Sequence, residues 1–524
     1  MARKTTVNLD ALIPRADILI ATPTTGRGHI PISELNKEQL YYHLLRKPNF
    51  QRETDDWDVD NVVSLIRSFR EGHLIPAVIL WAAQGQTFVI DGAHRLSVFI
   101  GWVNDDYGDR SISEAYFKHN IPQRQRDIAK ECRAKISAEG LAYSEMRGLA
   151  TIHARTPDQA RWSTNVVKPI ETQWVEGNAE VAAQSFLDIN QRAVEINPTE
   201  RYMIEKRRSP AVIAARAIVN KTRGHAYWGG FLPEHVATIE AKAVAIHNAI
   251  FEPEDAAPQS DMELQPAGPA YTANGLRLAL ELVMLTNNVK DRDKPTPDVD
   301  GSLTAEHVSV AHGVIKYMAG NEPASFSLHP SVYFWGSTGN HRPALFLAML
   351  SLMQDMIHEK ELFVFTLHRA RFEEFLVGKS GIGKELLSKY GGWGRSVTPI
   401  KKMLRGLLDG LIAGSTDTEI EEELMTALKT KTKADEDVTG LVSAWGQTRS
   451  ALRIKASLEA APRCTICKAR MVPAYMSNDH IKRQAEGGPD HPSNAQLVHH
   501  FCNHGFKEHY TSKGQALPEI ATPV

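Results

Sequence analysis

The chain has 524 residues, of which 42% are hydrophobic and 23% are charged, and its formal net charge is −2. These values suit a folded protein of about two to four domains. They exclude a basic field over the whole molecule, so nucleic-acid binding would require a local patch. No segment has the roughly 18 apolar residues of a membrane helix, and the first residues lack the apolar core of a signal peptide. We therefore expect a cytoplasmic protein without a membrane partner.

The N-terminal part of the chain combines predicted helices with predicted strands. Apolar residues recur with helical spacing in 32–45 (ISELNKEQLYYHLL) and in 58–72 (DVDNVVSLIRSFREG). In the second stretch, Asp58 or Asp60 can cap the start of the helix, and Gly72 can end it. The sequence therefore predicts two helices ahead of the first apolar strands.

Two short apolar runs follow, 76–82 (PAVILWA) and 86–92 (QTFVIDG). A glycine-containing turn separates them, which indicates two strands joined by that turn. A further helix is predicted directly afterwards, in 94–102 (HRLSVFIGW). Asp91 and Gly92 therefore lie in a tight strand-to-helix turn.

This turn carries the motif DGAHR. A helix N-terminus presents free backbone N–H groups and the positive end of the helix dipole. Arg95 adds a planar donor for phosphate oxygens. The motif thus favours a site for a nucleotide or a DNA phosphate, and a plain Asp-Gly turn beside a surface arginine is the alternative.

Together with the upstream segment 48–57 (PNFQRETDDW), the motif resembles the ParB/sulfiredoxin-like fold. Within that fold it resembles the DGQQR or DGQHR proteins of modification-dependent restriction and phage defence, similar to GmrSD and SspE. Segment 186–200 (FLDINQRAVEINPTE) more loosely resembles the F-x-x-x-N segment of that family. Ala93 departs from the family's Gln, and it stands where sulfiredoxin has its reactive cysteine, so sulfiredoxin chemistry is excluded. The resemblance implies nucleotide binding or hydrolysis, or sensing of modified DNA, in a pocket formed by Gln51, Arg52, Asp91, Gly92, His94 and Arg95.

The rest of the chain divides by composition. Residues 201–440 are predicted to be mostly helical, as in 275–287 (GLRLALELVMLTN) and 342–363 (RPALFLAMLSLMQDMIHEKELF). A segment of mixed charge ends this region and is a candidate hinge. The predicted domains are therefore 1–200, 201–440 and 445–524.

The last predicted domain holds three of the four cysteines. Clustered cysteines in a reducing compartment are more often metal ligands than disulfides. Here Cys464-x-x-Cys467 is followed by His499-x-x-Cys502 with the same spacing, and three thiolates with one imidazole make a closed tetrahedral zinc set. The neighbouring His500 could replace His499. A group of unligated buried cysteines is the alternative to a metal site.

The residues between and after these two halves have a specific order: Asp479-His480, Gly487-Gly488, Asn494, Asn503 and Lys507. Together with the cysteines, this order resembles the HNH endonuclease family, whose fold is a ββα-metal unit. In related defence proteins, such a domain follows the DGQQR-type domain. One departure is His499, where the family usually has cysteine, and histidine is also a good zinc ligand.

Each of these residues has an expected role. His480 is the expected general base, because imidazole titrates near neutral pH. Asp479 and Asn503 are oxygen donors for a catalytic Mg²⁺ or Mn²⁺, and Asn494 is expected to hold the His480 loop through backbone hydrogen bonds. The two glycines allow a tight turn. Candidate phosphate contacts are Lys482, Arg483 and Lys507. His504 is a candidate for a further metal or phosphate contact.

These observations predict an α+β multidomain protein with an N-terminal ParB/sulfiredoxin-like α/β domain, a helical middle region and a C-terminal ββα-metal (HNH) zinc domain. The expected function is metal-dependent nicking or cutting of DNA, including modified or phage DNA, in a prokaryotic defence system. The N-terminal domain would control cutting by sensing a nucleoside triphosphate or a DNA modification. Expected cofactors are structural Zn²⁺ and catalytic Mg²⁺ or Mn²⁺, and a homo-oligomer is compatible with the sequence. A DNA-binding regulator or partition-type protein with an inactive HNH fold, and an NTPase with a DNA-docking zinc domain, remain alternatives.

Overall fold

The computed structural model has two compact units, Met1–Arg208 with Arg223–Tyr227, and Ser209–Thr222 with Trp228–Val524. The predicted division into three domains remains a prediction. Among the described residues, no helix has the length and apolar character needed to span a membrane. The residues that the structure describes are 6–16, 28–48, 54, 57–119, 121–153, 155–193, 198–222, 224–252, 264–268, 270, 273–290, 296–379, 389–390, 392–428 and 445–520.

A six-stranded mixed sheet is the frame of the first unit. Its strands are β1 (Arg15–Ala16), β2 (His29–Ile30), β3 (Leu45–Pro48), β4 (Val78–Ala83), β5 (Gln86–Asp91) and β6 (Ile170–Val175). The order across the sheet is β1-β3-β5-β4-β6-β2. β3 runs parallel to both β1 and β5, so the carboxyl ends of β3 and β5 lie at the same edge. β4 pairs antiparallel with β5 and parallel with β6, and β2 pairs antiparallel with β6.

Helices cover both faces of this sheet. Leu80 and Val89 belong to a large core, whereas Phe88 and Ile90 belong to a smaller one, because successive side chains of a strand point to opposite faces. The helices are α1 (Leu40–Leu44), α2 (Val59–Glu71), α3 (Ala93–Asn104), α4 (Ser111–Tyr116), α5 (Gln123–Ala138), α6 (Tyr143–Gly148), α7 (Pro157–Asn165), α8 (Ala179–Ala193) and α9 (Pro198–Glu205), with 3₁₀ turns at Asp10–Leu12, Ile32–Leu35 and Leu149–Thr151.

The predicted elements around the DGAHR turn are confirmed. α2 begins after Asp58, whose carboxylate accepts a hydrogen bond from the backbone N–H of Asn61 (2.8 Å), and it ends at Gly72, which has φ 80°. β4 and β5 are joined by Gln84 and Gly85, with φ 57° and 71°. Positive φ at both positions is the conformation of a type I′ hairpin turn. β5 ends at Asp91 and α3 begins at Ala93, inside the motif, which places the motif at an edge of the sheet.

The single helix predicted over 32–45 is wrong. A 3₁₀ turn and the short helix α1 occupy this segment, and the chain between them forms a turn. The side chain of Asn36 accepts a hydrogen bond from the backbone N–H of Glu38 (2.9 Å), and the side chain of Asn104 accepts one from Lys37 (2.9 Å). Local and long-range side-chain partners therefore satisfy backbone groups that a helix would have paired.

The described part of 201–440 is mostly helical, as predicted. The helix Pro343–His358 is buried on nearly all sides, which is typical of the central helix of a helical core. The helices of the second unit are α10 (Pro210–Val219), α11 (Pro233–Ile250), α12 (Ala273–Thr286), α13 (Ser302–Met318), α14 (Pro330–Tyr333), α15 (Pro343–His358), α16 (Leu362–Gly378), α17 (Trp393–Ala413), α18 (Asp417–Leu428), α19 (Trp445–Ala460) and α20 (Glu508–Thr511).

A small antiparallel ribbon lies near the C-terminal end of the second unit. Its strands are β7 (Met476–His480) and β8 (Ala495–His499), paired from Met476 opposite His499 to His480 opposite Ala495. A π-helix, Cys502–Lys507, follows the ribbon and runs directly into α20. The chain thus has the order strand, strand, helix in the segment with the predicted catalytic residues.

Candidate metal centre and active site

Four side chains from two segments meet beside the ribbon. Cys464 and Cys467 lie in a tight turn ahead of β7, while His499 ends β8 and Cys502 begins the π-helix. All four are buried, and their ligand atoms lie within 4.8 Å of one another. The Nδ1 atom of His499 is 3.3 Å from the Sγ of Cys467 and 3.9 Å from the Sγ of Cys502. The two half-sites of the sequence therefore form one cluster that can bind a metal ion such as zinc.

This geometry fits a tetrahedral zinc ion. Bonds of about 2.3 Å to sulfur and about 2.0 Å to nitrogen place a thiolate and an imidazole nitrogen roughly 3.6 Å apart in such a set. The two sulfur–nitrogen distances lie on either side of that value. Four protein ligands leave no open position, which is typical of a structural zinc site rather than a catalytic one.

The second nitrogen of the histidine ligand also has a defined partner. Nε2 of His499 lies 3.0 Å from the backbone carbonyl oxygen of Arg470. A hydrogen bond from this N–H leaves the Nδ1 lone pair directed at the thiols. His500 instead is half-buried and its ring lies near that of His504, with centroids 6.0 Å apart. The geometry therefore favours His499 as the ligand over its neighbour.

The thiols of the cluster differ in their affinity for protons. Burial raises the pKa of Cys467 and of Cys502 above the ordinary value. Burial also raises the pKa of Cys464, yet hydrogen bonds from the other two cysteines and from His499 hold that pKa well below the ordinary value. A metal ion would have to displace the thiol protons, so the affinity of such a centre for a metal would increase with pH.

Asp479 is held by a lysine of the π-helix. Lys507 Nζ lies 2.8 Å from Oδ1 and 2.8 Å from Oδ2 of Asp479, and it also donates to the backbone carbonyl of His480. Gln496 donates to Oδ2 from the opposite strand (2.7 Å). Since an ammonium group occupies both oxygens, the carboxylate in this arrangement does not fit a divalent cation. A catalytic ion on Asp479 remains a prediction, and it requires Lys507 to move away.

The imidazole of His480 lies at the end of β7. Its side chain is 36% exposed, and Nε2 is 3.3 Å from Oδ1 of Asp490, which is exposed. The burial pattern of β7 places Asp479 on the buried face together with Ser477. The base predicted from the sequence is therefore accessible to solvent and has a carboxylate beside it.

Asn494 binds the loop that follows this histidine. Its Oδ1 accepts from the backbone N–H of Lys482 (2.9 Å), and its Nδ2 donates to the carbonyls of Lys482 and Pro489 (both 2.9 Å). The backbone N–H of Ile481 donates to the carbonyl of Asn494 (2.7 Å). Inside the same loop, a Cβ added to Gly488 would lie 2.0 Å from the Lys482 carbonyl oxygen. These contacts are the ones that the predicted positioning role of Asn494 requires.

The other predicted contacts have varied environments. Asn503 donates from Nδ2 to Ser477 Oγ (3.0 Å) and to the carbonyl of Asn478 (3.2 Å), so its amide lies against β7. Arg483 pairs with Glu508 at 2.5 Å. Lys482 and His504 are exposed, whereas Lys507 is only 6% exposed. Lys507 therefore supports the site from inside and does not face solvent as predicted for a phosphate contact.

The DGAHR turn of the first unit is stabilised by its own arginine. Arg95 donates from Nη2 to Asp91 Oδ2 (2.9 Å) and to the carbonyl of Ala77 (3.2 Å). Gly92 has φ 87°, and an added Cβ there would lie 2.9 Å from Nη2 of Arg95. Glycine therefore permits both the left-handed turn and the close approach of the guanidinium group.

His94 points into the interior beside the same turn. It is 9% exposed, and its ring stacks on that of Trp57 with centroids 5.9 Å apart. The predicted pocket residues Gln51 and Arg52 lie outside the described residues. The structure thus brings Asp91, Gly92, His94 and Arg95 together on one turn, and the full pocket remains a prediction.

Sequence analysis missed a buried charged cluster in this unit. Lys47 Nζ lies 2.5 Å from Asp10 Oδ1 and 2.9 Å from Thr54 Oγ1, and Arg15 Nη2 lies 2.9 Å from the same carboxylate oxygen. Tyr116 donates to Oδ2 (3.2 Å). Burial raises the pKa of Asp10, but the charges of Arg15 and Lys47, together with hydrogen bonds from Lys47 and Thr54, lower it by more, so the net pKa is below the ordinary value. Thr54 belongs to the segment upstream of the motif, so this cluster holds that segment at Thr54.

Comparison with known families gives a match within the first unit. Residues 32–203 match the family described as GmrSD restriction endonuclease, N-terminal domain. The match includes the DGAHR turn and strands β3 to β6 but not the Cys–His cluster. No curated protein and no solved structure matches the chain. The segment is thus similar to the N-terminal domain of a restriction endonuclease, while the ParB-like and HNH resemblances remain predictions.

Proposed function

We propose that this protein is a DNA endonuclease of restriction type, in which the C-terminal ribbon and π-helix cleave phosphodiester bonds. The observation that carries the proposal is the position of His480, which is accessible at the end of a strand that a buried ion pair and a Cys–His cluster hold in place. The similarity of residues 32–203 to a restriction endonuclease domain supports DNA as the substrate.

His480 can accept the proton of a water molecule that attacks phosphorus. Imidazole is suited to this task near neutral pH. Asp490, whose carboxylate is 3.3 Å from Nε2, can orient the ring. A Mg²⁺ or Mn²⁺ ion, as HNH enzymes use, would stabilise the negative charge that develops at the phosphate. Because Lys507 occupies both oxygens of Asp479, the binding of this ion is the step that must be measured.

The N-terminal domain would control this activity. The helix N-terminus of the DGAHR turn and the guanidinium of Arg95 are suited to a phosphate group. We propose that it senses a nucleotide or a DNA modification, since an uncontrolled nuclease would attack the host genome.

A plasmid-nicking assay tests the proposal. Supercoiled plasmid is incubated with wild type, His480→Ala and His491→Ala in Mg²⁺, Mn²⁺ or chelator. Wild type and His491→Ala, which changes an exposed histidine of the same loop, are expected to cut. His480→Ala is expected to bind DNA without cutting. Cutting by His480→Ala at the wild-type rate would contradict the assigned role.

A second function is favoured by the ion pair on Asp479. If Lys507 permanently occupies the cation position, the C-terminal unit binds DNA as a regulator and does not cleave it. In the same assay, this function gives DNA binding by gel shift and no cleavage with either metal ion on plasmids of different modification states.

A further inference from the structure

α16 contacts both halves of the Cys–His cluster. Near its start, Phe363 lies against Phe501 and Phe506, with ring centroids 5.8 Å apart in both pairs. Phe501 directly precedes a cysteine ligand, and its backbone N–H donates to the carbonyl of Ser325 (2.9 Å). Near its other end, the helix presents two consecutive glutamates to the cysteine turn. The predicted C-terminal domain is therefore not a self-contained metal module.

The first of these glutamates is joined to the histidine ligand through one residue. Glu373 is fully buried, and its Oε2 accepts from the backbone N–H of Arg470 (2.8 Å). Its Oε1 accepts from Arg369 Nε (3.0 Å) and from the hydroxyl of Tyr333 (3.1 Å). The carbonyl of Arg470 in turn accepts from Nε2 of His499 (3.0 Å). A buried chain of hydrogen bonds thus runs from the helix to the ligand.

The second glutamate makes contacts of a different kind. Glu374 binds the side chains of Arg470 (2.9 Å) and Arg463 (2.6 Å), and its own side chain is 31% exposed. The Arg470 side chain is 8% exposed and that of Arg463 is 42% exposed, so the glutamate end of both pairs remains accessible to water, and such ion pairs contribute little to stability. Glu374 is therefore a matched control for its buried neighbour.

Arg369 balances charge next to the cluster. It is fully buried. Burial opposes its charged form, yet Glu373, Tyr333, Cys467 and Cys502 together raise the pKa of Arg369 above the ordinary value. The guanidinium already pairs with Glu373, since Nε lies 3.0 Å from Oε1 and both side chains are fully buried. It therefore holds the carboxylate that accepts from the Arg470 peptide.

We propose that Glu373 and Arg369 are positioning residues of the metal centre. They fix the Arg470 peptide and through it the ring of His499, so metal affinity depends on α16. Partners that orient a ligand typically change metal affinity by about 10- to 100-fold when they are removed. This inference concerns metal binding alone, so it stands or falls independently of DNA cleavage.

The test is zinc competition with a chromogenic chelator, carried out on the full-length chain. Glu373→Gln is expected to weaken zinc binding by about 10- to 100-fold, and Glu374→Gln by about fivefold at most. Substitution with Co²⁺ gives a second readout, because the thiolate charge-transfer bands report the ligand geometry. These bands are expected to shift in Glu373→Gln and to stay unchanged in Glu374→Gln.

Tyr333→Phe provides a variant that keeps volume and removes one hydrogen bond to Glu373. It is expected to weaken zinc binding by roughly 2- to 10-fold. If circular dichroism shows that Glu373→Gln is unfolded, Tyr333→Phe tests the proposal in its place. The proposal is overturned if Glu373→Gln or Tyr333→Phe is folded and binds zinc as tightly as wild type. It is also overturned if wild type binds no zinc, or if Glu374→Gln weakens binding as much as Glu373→Gln.

Discussion

Lys507 Nζ lies 2.8 Å from each carboxylate oxygen of Asp479, and the two side chains are 8% and 7% exposed. This buried pair joins the strand that carries His480 to the π-helix that begins at Cys502 of the Cys–His cluster. The same carboxylate was predicted to hold a divalent cation. The pair therefore affects both the stability of the ribbon and the metal response of the proposed nuclease.

Lys507→Met is expected to destabilise the second unit. The substitution keeps the length of the side chain but leaves Asp479 buried without its cation, which costs about 3–5 kcal/mol. Urea unfolding followed by tryptophan fluorescence measures this free energy. Lys513→Met, which changes an exposed lysine after the same helix, is the control and is expected to alter stability by about 0.5 kcal/mol or less.

A double-mutant cycle separates the pair from other effects of Lys507. Asp479→Asn removes the charge that the lysine neutralises, so Asp479→Asn with Lys507→Met is expected to be more stable than the sum of the two single losses implies. Coupling of about 1–3 kcal/mol is expected for groups in direct contact. Strict additivity would contradict a direct interaction between the two side chains.

Cys467→Ser is expected to abolish tight zinc binding. The serine oxygen is a poor substitute for the thiolate in a closed site, so the metal content of the purified protein should fall from about one zinc ion per chain to nearly none. Metal analysis by mass spectrometry measures this content. Cys132→Ser changes a buried cysteine of the first unit and should leave the zinc content unchanged. Equal loss in both variants would indicate general misfolding.

Gly488→Ala is expected to displace the loop after His480. The added Cβ would lie 2.0 Å from the Lys482 carbonyl oxygen, so the backbone must move, at a cost of about 1–3 kcal/mol. Plasmid cutting should decrease strongly while zinc content is retained. Gly394→Ala, where a Cβ meets no atom within 4 Å, is the control. Wild-type cutting by Gly488→Ala would show that the loop position is not needed.

The Cys–His cluster could be predicted from the sequence because each half is a local turn with ligands three residues apart. The contacts that support it could not, since the hydrogen bond between Glu373 and Arg470 joins residues 97 positions apart. Lys507 shows a second limit. A buried lysine nearly always has a partner, and the fold brings that partner, here Asp479, from another part of the chain. The local sequence around a lysine therefore does not show whether it pairs inside the fold or faces DNA.

In the first unit, the strands and the turn of the DGAHR motif could be predicted because glycines and caps mark their ends. The turn inside 32–45 could not, because Asn104 supplies a hydrogen bond from a distant helix. The cluster around Asp10 likewise joins separate segments, and its members have no common spacing. In both the turn inside 32–45 and the cluster around Asp10, contacts with distant residues determine the local structure more than the local sequence does.

Asp10→Asn is expected to reduce stability in a pH-dependent way. The charges of Arg15 and Lys47 hold the folded pKa of Asp10 below the unfolded value of about 3.9. The stability from this carboxylate is therefore present above that pH and is lost as pH falls through the folded pKa. The gap in unfolding free energy between wild type and Asp10→Asn should be largest near neutral pH and should narrow below about pH 4.

Urea unfolding at a series of pH values measures this gap. Asp60→Asn is the control, because the Asp60 side chain is 77% exposed and pairs with Lys135 at the surface. A loss of stability in Asp10→Asn that stays constant from neutral to acidic pH would contradict a buried ionised carboxylate.

Arg95→Ala is expected to change the response of the protein to its proposed signal and to leave the nuclease site intact. The substitution removes a guanidinium at a helix N-terminus and frees the Asp91 carboxylate, so a phosphate would lose a charged donor and meet an unneutralised anion. Loss of one charge-assisted hydrogen bond costs about 1.5–3 kcal/mol, which weakens nucleotide binding by roughly 10- to 150-fold.

Fluorescent nucleotide titration measures this change, and cutting of plasmids with different modifications measures the response to DNA. Arg67→Ala, which removes a surface partner of Glu139, should behave as wild type in both assays. If Arg95→Ala and wild type respond identically to every nucleotide and every plasmid, the DGAHR turn is not the sensor, whereas His480→Ala would still lose cutting through the separate C-terminal site.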